Sequence, residues 1–422
     1  MPPRWSNWAG DQVCAPASRV EPGSEDELVA ALRGASRARV AGSGHSFTDI
    51  ALTDGLHVSL RRMNQVLDSD GTLVRVQGGI RLRELGLELA RRGLAMENLG
   101  DVDAQTLAGA LATGTHGTGV GYRNLSSQVE AMRLVTPAGP VEITGGDELR
   151  AARVSLGALG VATEITLRCQ PLYTLRRTDE RRPLDETLNR LDELATSRER
   201  FEFFSFPYSR WALWRTTEKT DDAPQPPGRL ERFVEDVLLE NGAFGAFCRL
   251  GRAMPRLAPR IARTVGGLAS GATRVDRSHR IYANPRLVHF TEMEYAIPRA
   301  QGADAVRRVF ELIERRRLPI LFPLEVRFGA ADDAFLSPGA GRDSCYIAVH
   351  QYRGMEFETY FRAVEAIMRE YGGRPHWGKR HYRSAGDLAA LYPDFGRFLA
   401  VRDRLDPGRV FANDYVVRVL GS

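Results

Sequence analysis

Five side chains have the types and spacing to do polar chemistry on a small molecule: His45, Glu325, Arg327, His350 and Lys379. Glu325-Val326-Arg327 reads as strand, and strand residues two apart share a face, so a carboxylate and a guanidinium would stand side by side. An ion pair on a sheet surface would give the same pattern. The flanking Leu321-Phe-Pro-Leu324 and Phe328 are apolar, however, which points to a sheet with one covered face. A partly buried pair there could hold a polyhydroxylated ligand, Glu325 accepting and Arg327 donating hydrogen bonds. Lysine occurs only at Lys219 and Lys379. The second lies in Arg374-Pro-His376-Trp377-Gly378-Lys379-Arg380-His381-Tyr382, where aromatic, imidazole and ammonium groups share one loop and suit a pocket wall. A basic surface loop is the competing reading. His350, ending the run Tyr346–His350, fits a core position and a site equally well.

His45 sits in Ala41-Gly42-Ser43-Gly44-His45-Ser46-Phe47. A strand running into alternating small residues leaves backbone N–H groups free to converge on an anion such as a pyrophosphate. An ordinary turn with an exposed histidine would look the same on these residues alone. A second glycine-rich segment, Gly109-Ala-Leu-Ala-Thr113-Gly114-Thr115-His116-Gly117-Thr118-Gly119, lets backbone approach a flat or charged ligand while its hydroxyls supply hydrogen bonds. Two such loops in one region favour a buried nucleotide-like ligand more than either does alone.

These loops must be positioned by the elements around them. Glu25–Arg33 is predicted as a helix capped by Ser24, Arg37–Ala41 as a strand, Leu73–Gln77 as a strand and Leu82–Arg92 as a helix stopped by Gly93. Val129–Val135, Val141–Thr144 and Leu159–Leu167 read as strands. Beyond Pro171 the chain becomes charged from Thr178 to Arg200, then strand-like at Phe201–Phe206, with a Pro-rich acidic loop at 221–228. The stretch Leu230–Arg274, with Arg252, Arg256, Arg260 and Arg263, reads as basic helix, either a solvated layer or a membrane-surface face. Strands return at Leu321–Phe328 and Cys345–Tyr352, followed by a helix at Phe357–Tyr371. The pattern is α+β, with no Gly-x-Gly-x-x-Gly placed as a dinucleotide fold requires.

With 422 residues the chain has room for two domains. Its formal charge of +5 is spread along the sequence and argues for no nucleic-acid partner. Four cysteines make neither a disulfide framework nor a metal site, so no metal is expected. The N-terminus lacks a signal-peptide core, no stretch is apolar enough to span a bilayer, and a cytoplasmic protein is expected, with room for peripheral membrane contact.

Together these motifs resemble the FAD-linked oxidoreductases of the vanillyl-alcohol oxidase type, most of all the aldonolactone and alditol oxidase branch. Gly42-Ser43-Gly44-His45-Ser46 resembles that branch's flavinylation motif, and Asn98-Leu-Gly-Asp101 with Gly114-Thr115-His116-Gly117 its second flavin loop. Ser155-Leu-Gly-Ala-Leu-Gly160-Val161, Pro375-His376-Trp377-Gly378-Lys379 and Leu405-Asp-Pro-Gly408…Phe411-Ala-Asn413 resemble its remaining signatures.

The resemblance implies a two-domain α+β fold: an FAD-binding domain over 1–170, a substrate-binding cap on an antiparallel sheet over 171–375, and a C-terminal segment, 376–422, returning to the first domain. It implies FAD held covalently by His45, with Ala41, Gly42, Ser43, Gly44, Ser46, Phe47, Gly109, Thr113, Gly114, Thr115, His116, Gly117, Thr118, Val161 and Asn413 around the cofactor. Thr115 stands where doubly linked members carry cysteine, so a single link is expected. Gly44, before His45, is more like the lactone-oxidising group. Thr106, Glu325, Arg327, His350 and Lys379 are expected to bind substrate, an aldono-1,4-lactone or alditol.

Hydride would pass to flavin while His350 or Lys379 takes the hydroxyl proton, the lysine needing a lowered pKa to do so. Lys379 or Arg327 could instead stabilise the reduced flavin. Oxygen is the expected electron acceptor, with cytochrome c or a quinone as the rival and a sugar-bearing natural product as an alternative substrate. A flavin carrier without turnover would not need the Glu325/Arg327/Lys379 set.

Overall fold

The computed structural model describes residues 4–226, 228, 242–268, 271–284 and 287–422. The N-terminal part is built on two sheets. Strands Ser18–Val20, Leu56–Val58 and Ala38–Val40 form a small parallel sheet, while Gly139–Ile143, Val129–Thr136, Val161–Arg168, Leu73–Gln77 and Val66–Asp70 form a five-stranded antiparallel one. The predicted cap is present: the Glu27 N–H donates to Ser24 Oγ at 3.2 Å, opening the helix Glu25–Leu32. The helix Leu82–Arg91 ends before Gly93, whose φ of +72° is the left-handed turn that glycine accepts without a Cβ clash.

The core beneath the larger sheet takes Val74, Val76, Leu85, Leu107 and Ile165 from the first half of the chain, and Trp377, Phe398, Tyr415 and Val419 from its end. The C-terminal residues therefore complete a core that the first 170 begin. Trp377 is fully buried and satisfies its indole N–H on the Leu336 carbonyl at 2.6 Å.

The middle of the chain forms an eight-stranded antiparallel sheet, ordered Ala272–Arg277, Thr174–Pro183, Trp211–Thr220, Arg200–Ser205, Leu324–Gly329, Ser344–Tyr352, Phe290–Pro298 and Arg374–Pro375. Alternation sorts its two faces. Phe203, Met293, Tyr295, Val326, Ile347 and Val349 belong to one apolar cluster, closed by the helices Gly302–Arg316 and Glu358–Glu370 through Val309, Ile313, Phe361 and Val364. This is the covered face that the apolar residues around Glu325 predict. The other face carries the polar residues.

One charged stretch acquires a structure here, and one expectation changes. The stretch 178–200 contains six residues of the ten-residue strand Thr174–Pro183, whose Asp179 is buried against Arg215 and Arg177. The basic stretch expected as helix through Arg274 holds the helices Phe244–Ala253 and Ala258–Leu268, but its end is strand, pairing Ala272–Arg277 with Thr174–Asp179. Residues 230–241 and 269–270 of that stretch lie outside the described residues. Arg252, Arg256, Arg260 and Arg263 are all exposed. Among the described residues no helix is long and apolar enough to cross a membrane, and no group of three His, Cys, Asp or Glu is placed to hold a metal.

His57 is a buried exception in the small sheet. Neither ring nitrogen has a hydrogen-bond partner among the described residues, and burial followed by the charge of Arg19 pushes its pKa down to about 4. A base whose folded pKa is depressed binds its proton more readily when unfolded, so stability falls as pH drops from about 6.5 towards about 4. His57→Leu is expected to raise the unfolding free energy by roughly 1–2 kcal/mol at pH 7.5, by removing two unsatisfied nitrogens. It should also flatten the loss on acidification. Melting curves at pH 7.5 and pH 5 test this; a variant with the wild-type acid slope contradicts it.

Candidate active site

The strand Ala38–Val40 delivers residues 41–47 as a loop fixed almost entirely by backbone. The Ala41 N–H donates to Val58 O (3.0 Å), the Trp8 N–H to Gly44 O (2.8 Å) and the Phe47 N–H to Gly378 O (2.7 Å). Gly44 adopts φ +73°, and a Cβ on Gly42 would lie 2.2 Å from Thr106 Oγ1, so both glycines are required by geometry. The loop walls a channel of 330 Å³ whose other side is lined by Thr106, Gly109, Thr113 and Val161.

The channel's chemistry matches an anionic dinucleotide such as FAD. Ser43 Oγ and Thr48 Oγ1 are buried there without partners among the described residues, which is costly unless a ligand supplies them. Four arginines (Arg19, Arg39, Arg61, Arg81) line it against one carboxylate, Glu21. Arg39 is almost fully buried and donates to the carbonyls of Ile50, Leu156, Gly157 and Phe411, with its pKa lowered to about 10 by burial.

His45 lines this channel and also a second cavity of 70 Å³; Ser46, Gln105 and Thr113 are shared in the same way. Its ring makes no hydrogen bond among the described residues and stacks on Trp8 with centroids 5.5 Å apart. Burial, then the charges of Lys379 and Arg81, lower its pKa to about 4, which leaves a neutral, nucleophilic imidazole at pH 7.

The second cavity, and a 40 Å³ extension of it, open onto the polar face of the large sheet. Register brings its groups together: Glu292 pairs with His350 and Glu294 with Ala348, while Glu325 and Arg327 pair with Ala348 and Tyr346. The segment after Arg374 runs on along the same edge, with the His376 N–H on Glu294 O (3.0 Å) and the Arg380 N–H on Glu292 O (2.9 Å). Lys379 is thereby laid over both carboxylates, bonded to Glu292 Oε2 and 3.9 Å from Glu294 Oε2.

Burial alone would lower the Lys379 pKa, but Glu292 and Glu294 outweigh it and hold the ammonium above its ordinary value. The lowered pKa required for Lys379 to act as base is therefore not met; it is a fixed cation. Glu292 and Glu294 are in turn held well below the usual carboxylate range: burial opposes this, and Lys379 with His350 at the first, and His116 at the second, overcome it.

His350 approaches Pro323 O through Nδ1 (3.1 Å) and Glu292 Oε1 through Nε2 (3.4 Å). A carbonyl only accepts, so Nδ1 carries the hydrogen, and Nε2 is the nitrogen able to take a proton with Glu292 beside it. His116 is held in the same style, Nε2 at 2.6 Å from Glu294 Oε1 and Nδ1 at 2.8 Å from Gly117 O, under the ring of Tyr346.

Arg327 is less free than its spacing suggests. It bonds Glu325, donates to Glu202 Oε2 at 2.6 Å and lies 3.6 Å from Asp101. Burial is outweighed by these carboxylates, which hold its pKa well above the ordinary value.

Of the residues singled out in sequence, Ala41, Gly42, Ser43, Gly44, His45, Ser46, Gly109, Thr113 and Val161 line the channel. Phe47, Thr115, His116, Arg327 and Lys379 line the second cavity, and Glu325 and His350 its extension. Thr106, expected beside substrate, stands on the channel side at Gly42. Gly114, Gly117, Thr118 and Asn413 line neither space. Gly114 packs on Pro338, and Gly117 lies against Leu99 and Asn98. Thr118 Oγ1 donates to Phe201 O and accepts the Phe328 N–H at 3.2 Å, stitching the second loop to the large sheet. Asn413 donates to the carbonyls of Asp49 (2.9 Å) and Leu52 (2.9 Å) and caps the last helix. Sequence reasoning missed Glu292, Glu294 and Glu202 as site residues. The alternation Phe290-Thr-Glu292-Met-Glu294-Tyr295 was the available signal.

Known proteins match the chain along most of its length. The family described as D-arabinono-1,4-lactone oxidase matches residues 165–419, and the FAD binding domain matches residues 16–145. The chain is 55% identical over 429 residues to the L-gulono-1,4-lactone dehydrogenase of Mycobacterium tuberculosis (strain ATCC 25618 / H37Rv), covering 100% of each. It is 34% identical over 433 residues to the L-gulonolactone oxidase of Bos taurus, covering 99% of this chain and 98% of that protein. The alditol oxidase of Streptomyces sp. (strain IKD472 / FERM P-14339) is 30% identical over 432 residues, with 97% of each covered. The crystal structure of cholesterol oxidase from B. sterolicum superposes with a TM-score of 0.85 over 99% of this chain and 96% of that one; at 17% identity it shows the fold alone.

Proposed function

The chain belongs to the D-arabinono-1,4-lactone oxidase family and is an FAD-dependent oxidoreductase of the vanillyl-alcohol oxidase type, and from that premise we propose that it oxidises a hydroxyl group of an aldono-1,4-lactone. The observation that carries this reading is the junction at His45, where a cation-rich channel lined by both glycine loops meets a cavity walled by paired charges. When bound, FAD supplies the two-electron acceptor for the substrate's C–H.

The protein's part is to bind, orient and handle protons. Glu325, Arg327 and Lys379 present fixed charges to a ring of hydroxyls. His350 Nε2 receives the hydroxyl proton, and Glu292 stabilises the imidazolium so formed. Lys379, a permanent cation beside His45, offsets negative charge that develops nearby. Thr106, at Gly42, shapes the channel wall. Boundaries near 170 and 375 are supported by the large sheet, which runs from Thr174 to Pro375.

The cofactor link is proposed at His45: its unpartnered neutral imidazole has the nucleophilicity that attachment needs, and Thr115 offers no second site. For the acceptor, the name of the relative at 55% identity favours a dehydrogenase over an oxidase, replacing oxygen, which the sequence motifs alone suggested.

Three measurements on the purified protein test this. Acid precipitation should leave the yellow colour with the wild type and release it from His45→Ala. Anaerobic addition of aldono-1,4-lactones should bleach the flavin faster than addition of alditols. Turnover with phenazine methosulfate should exceed oxygen consumption by at least about tenfold. Flavin in the wild-type supernatant sinks the covalent link, and absence of lactone bleaching sinks the substrate assignment.

A further inference from the structure

Outside the site, one cavity has a composition that the proposed chemistry leaves unused. It measures 580 Å³, within the range of small-molecule sites, and is lined by Arg249, Arg252, Arg353, His289 and Tyr352. The three arginines are exposed, and none pairs with a carboxylate among the described residues. Arg252 lies over the Tyr352 ring at 5.5 Å, and Arg353 packs against Gly10 in the N-terminal segment that carries Trp8. His289 Nδ1 is buried without a hydrogen-bond partner among the described residues.

The cavity is joined to the active site by aromatic contacts. His289 stacks on Trp8 with centroids 4.5 Å apart and an 8° interplanar angle, and Trp8 stacks on His45 at 5.5 Å. Trp8 is held there by its backbone N–H on Gly44 O. Two stacked contacts thus separate a cationic pocket from the residue assigned to the cofactor.

We propose that this cavity docks a small anionic quinone that accepts the enzyme's electrons, and that His289–Trp8–His45 is the route by which they leave. The inference rests on the reading of His45 as the flavin attachment point. The balance closes on a quinone. Oxidising CH–OH to C=O releases two electrons and two protons, and a quinone takes up both to become a hydroquinone. A flat ring suits the faces of His289 and Tyr352, and the unpaired guanidinium groups call for a negative substituent on it.

The test compares 1,4-naphthoquinone-2-sulfonate with uncharged 1,4-naphthoquinone on wild-type holoprotein and on the double variant Arg249→Gln/Arg252→Gln. Calorimetric titration should show the sulfonate binding at least about tenfold more tightly than the uncharged ring, with the preference lost in the double variant and weakened by salt. In stopped flow the double variant should be reduced by lactone at the wild-type rate but reoxidised by the sulfonate at least about tenfold more slowly at low concentration. Trp8→Leu should slow that reoxidation without weakening calorimetric binding. Equal affinity for the two quinones, or an unchanged preference in the double variant, overturns the docking site; an unchanged Trp8→Leu reoxidation rate overturns the route. Protein that carries no flavin fails the stopped-flow arm from the start but still answers the calorimetric one, so failure at His45 is told apart from failure at the cavity.

Discussion

Lys379→Met is expected to lower kcat/KM for the lactone by about 10²–10³-fold, the range seen when one preorganised charge donor is removed from an active site, while the flavin stays on the protein. Lys379 touches Glu292 directly and lies within reach of Glu294, two buried carboxylates whose surroundings screen charge less than bulk water does. Its loss removes the nearest cation from Glu292 and leaves only His350 to oppose burial and the neighbouring Glu294, so that carboxyl's pKa rises.

The pH dependence separates this from simple misfolding. In the wild type Glu292 is held below its ordinary value, so its contribution to stability is present above the unfolded carboxylate pKa and is lost only as pH falls through the lower folded one. In the variant the folded pKa is raised, and the sign reverses. The stability deficit relative to wild type should therefore shrink between pH 8 and pH 5. Adding Glu292→Gln should recover stability at pH 8 without recovering turnover. Activity within tenfold of wild type, or a deficit that grows on acidification, contradicts the assignment.

For Arg327→Met the larger effect is on folding. Glu325, Glu202 and Asp101 converge on one largely buried guanidinium, and removing it leaves the buried carboxylates of Glu325 and Glu202 without that cation. Breaking a buried pair from one side costs roughly 3–5 kcal/mol, and that loss of unfolding free energy is expected in urea titrations. Arg327→Lys should restore only part of it, because a single ammonium cannot fork between carboxylates on neighbouring strands. A methionine variant within about 1 kcal/mol of wild type would show that the three acids are satisfied by other means.

Much of the site could be read from spacing because its signals are local. Two glycine loops declare backbone that must approach something closely, and Glu325-Val326-Arg327 declares a polar strand face through its apolar neighbours. What escaped depends on distance along the chain. Glu292 and Glu294 look like the solvated face of an ordinary strand until register sets them opposite His350 and beneath Lys379. The protonation state of Lys379 could not be anticipated without them. Arg327 seemed available for ligand because Glu202, 125 residues earlier, has no sequence signal linking it to that position. The strand Thr174–Pro183 was hidden for a related reason: its buried charges are neutralised by partners on other strands.

The seam made by Thr118 bears on how such enzymes could change their tastes. Its hydroxyl grips main-chain atoms of Phe201 and Phe328, and a main-chain N–H of Gly119 is bound by the Phe328 carbonyl at 2.9 Å. None of those grips depends on which side chains the sheet displays. Positions 202, 325 and 327 can therefore be redrawn as a charge-balanced set, by selection or by an engineer, while the loop behind them keeps its footing. Discrimination among sugars is mutable on a chassis whose cofactor end stays put.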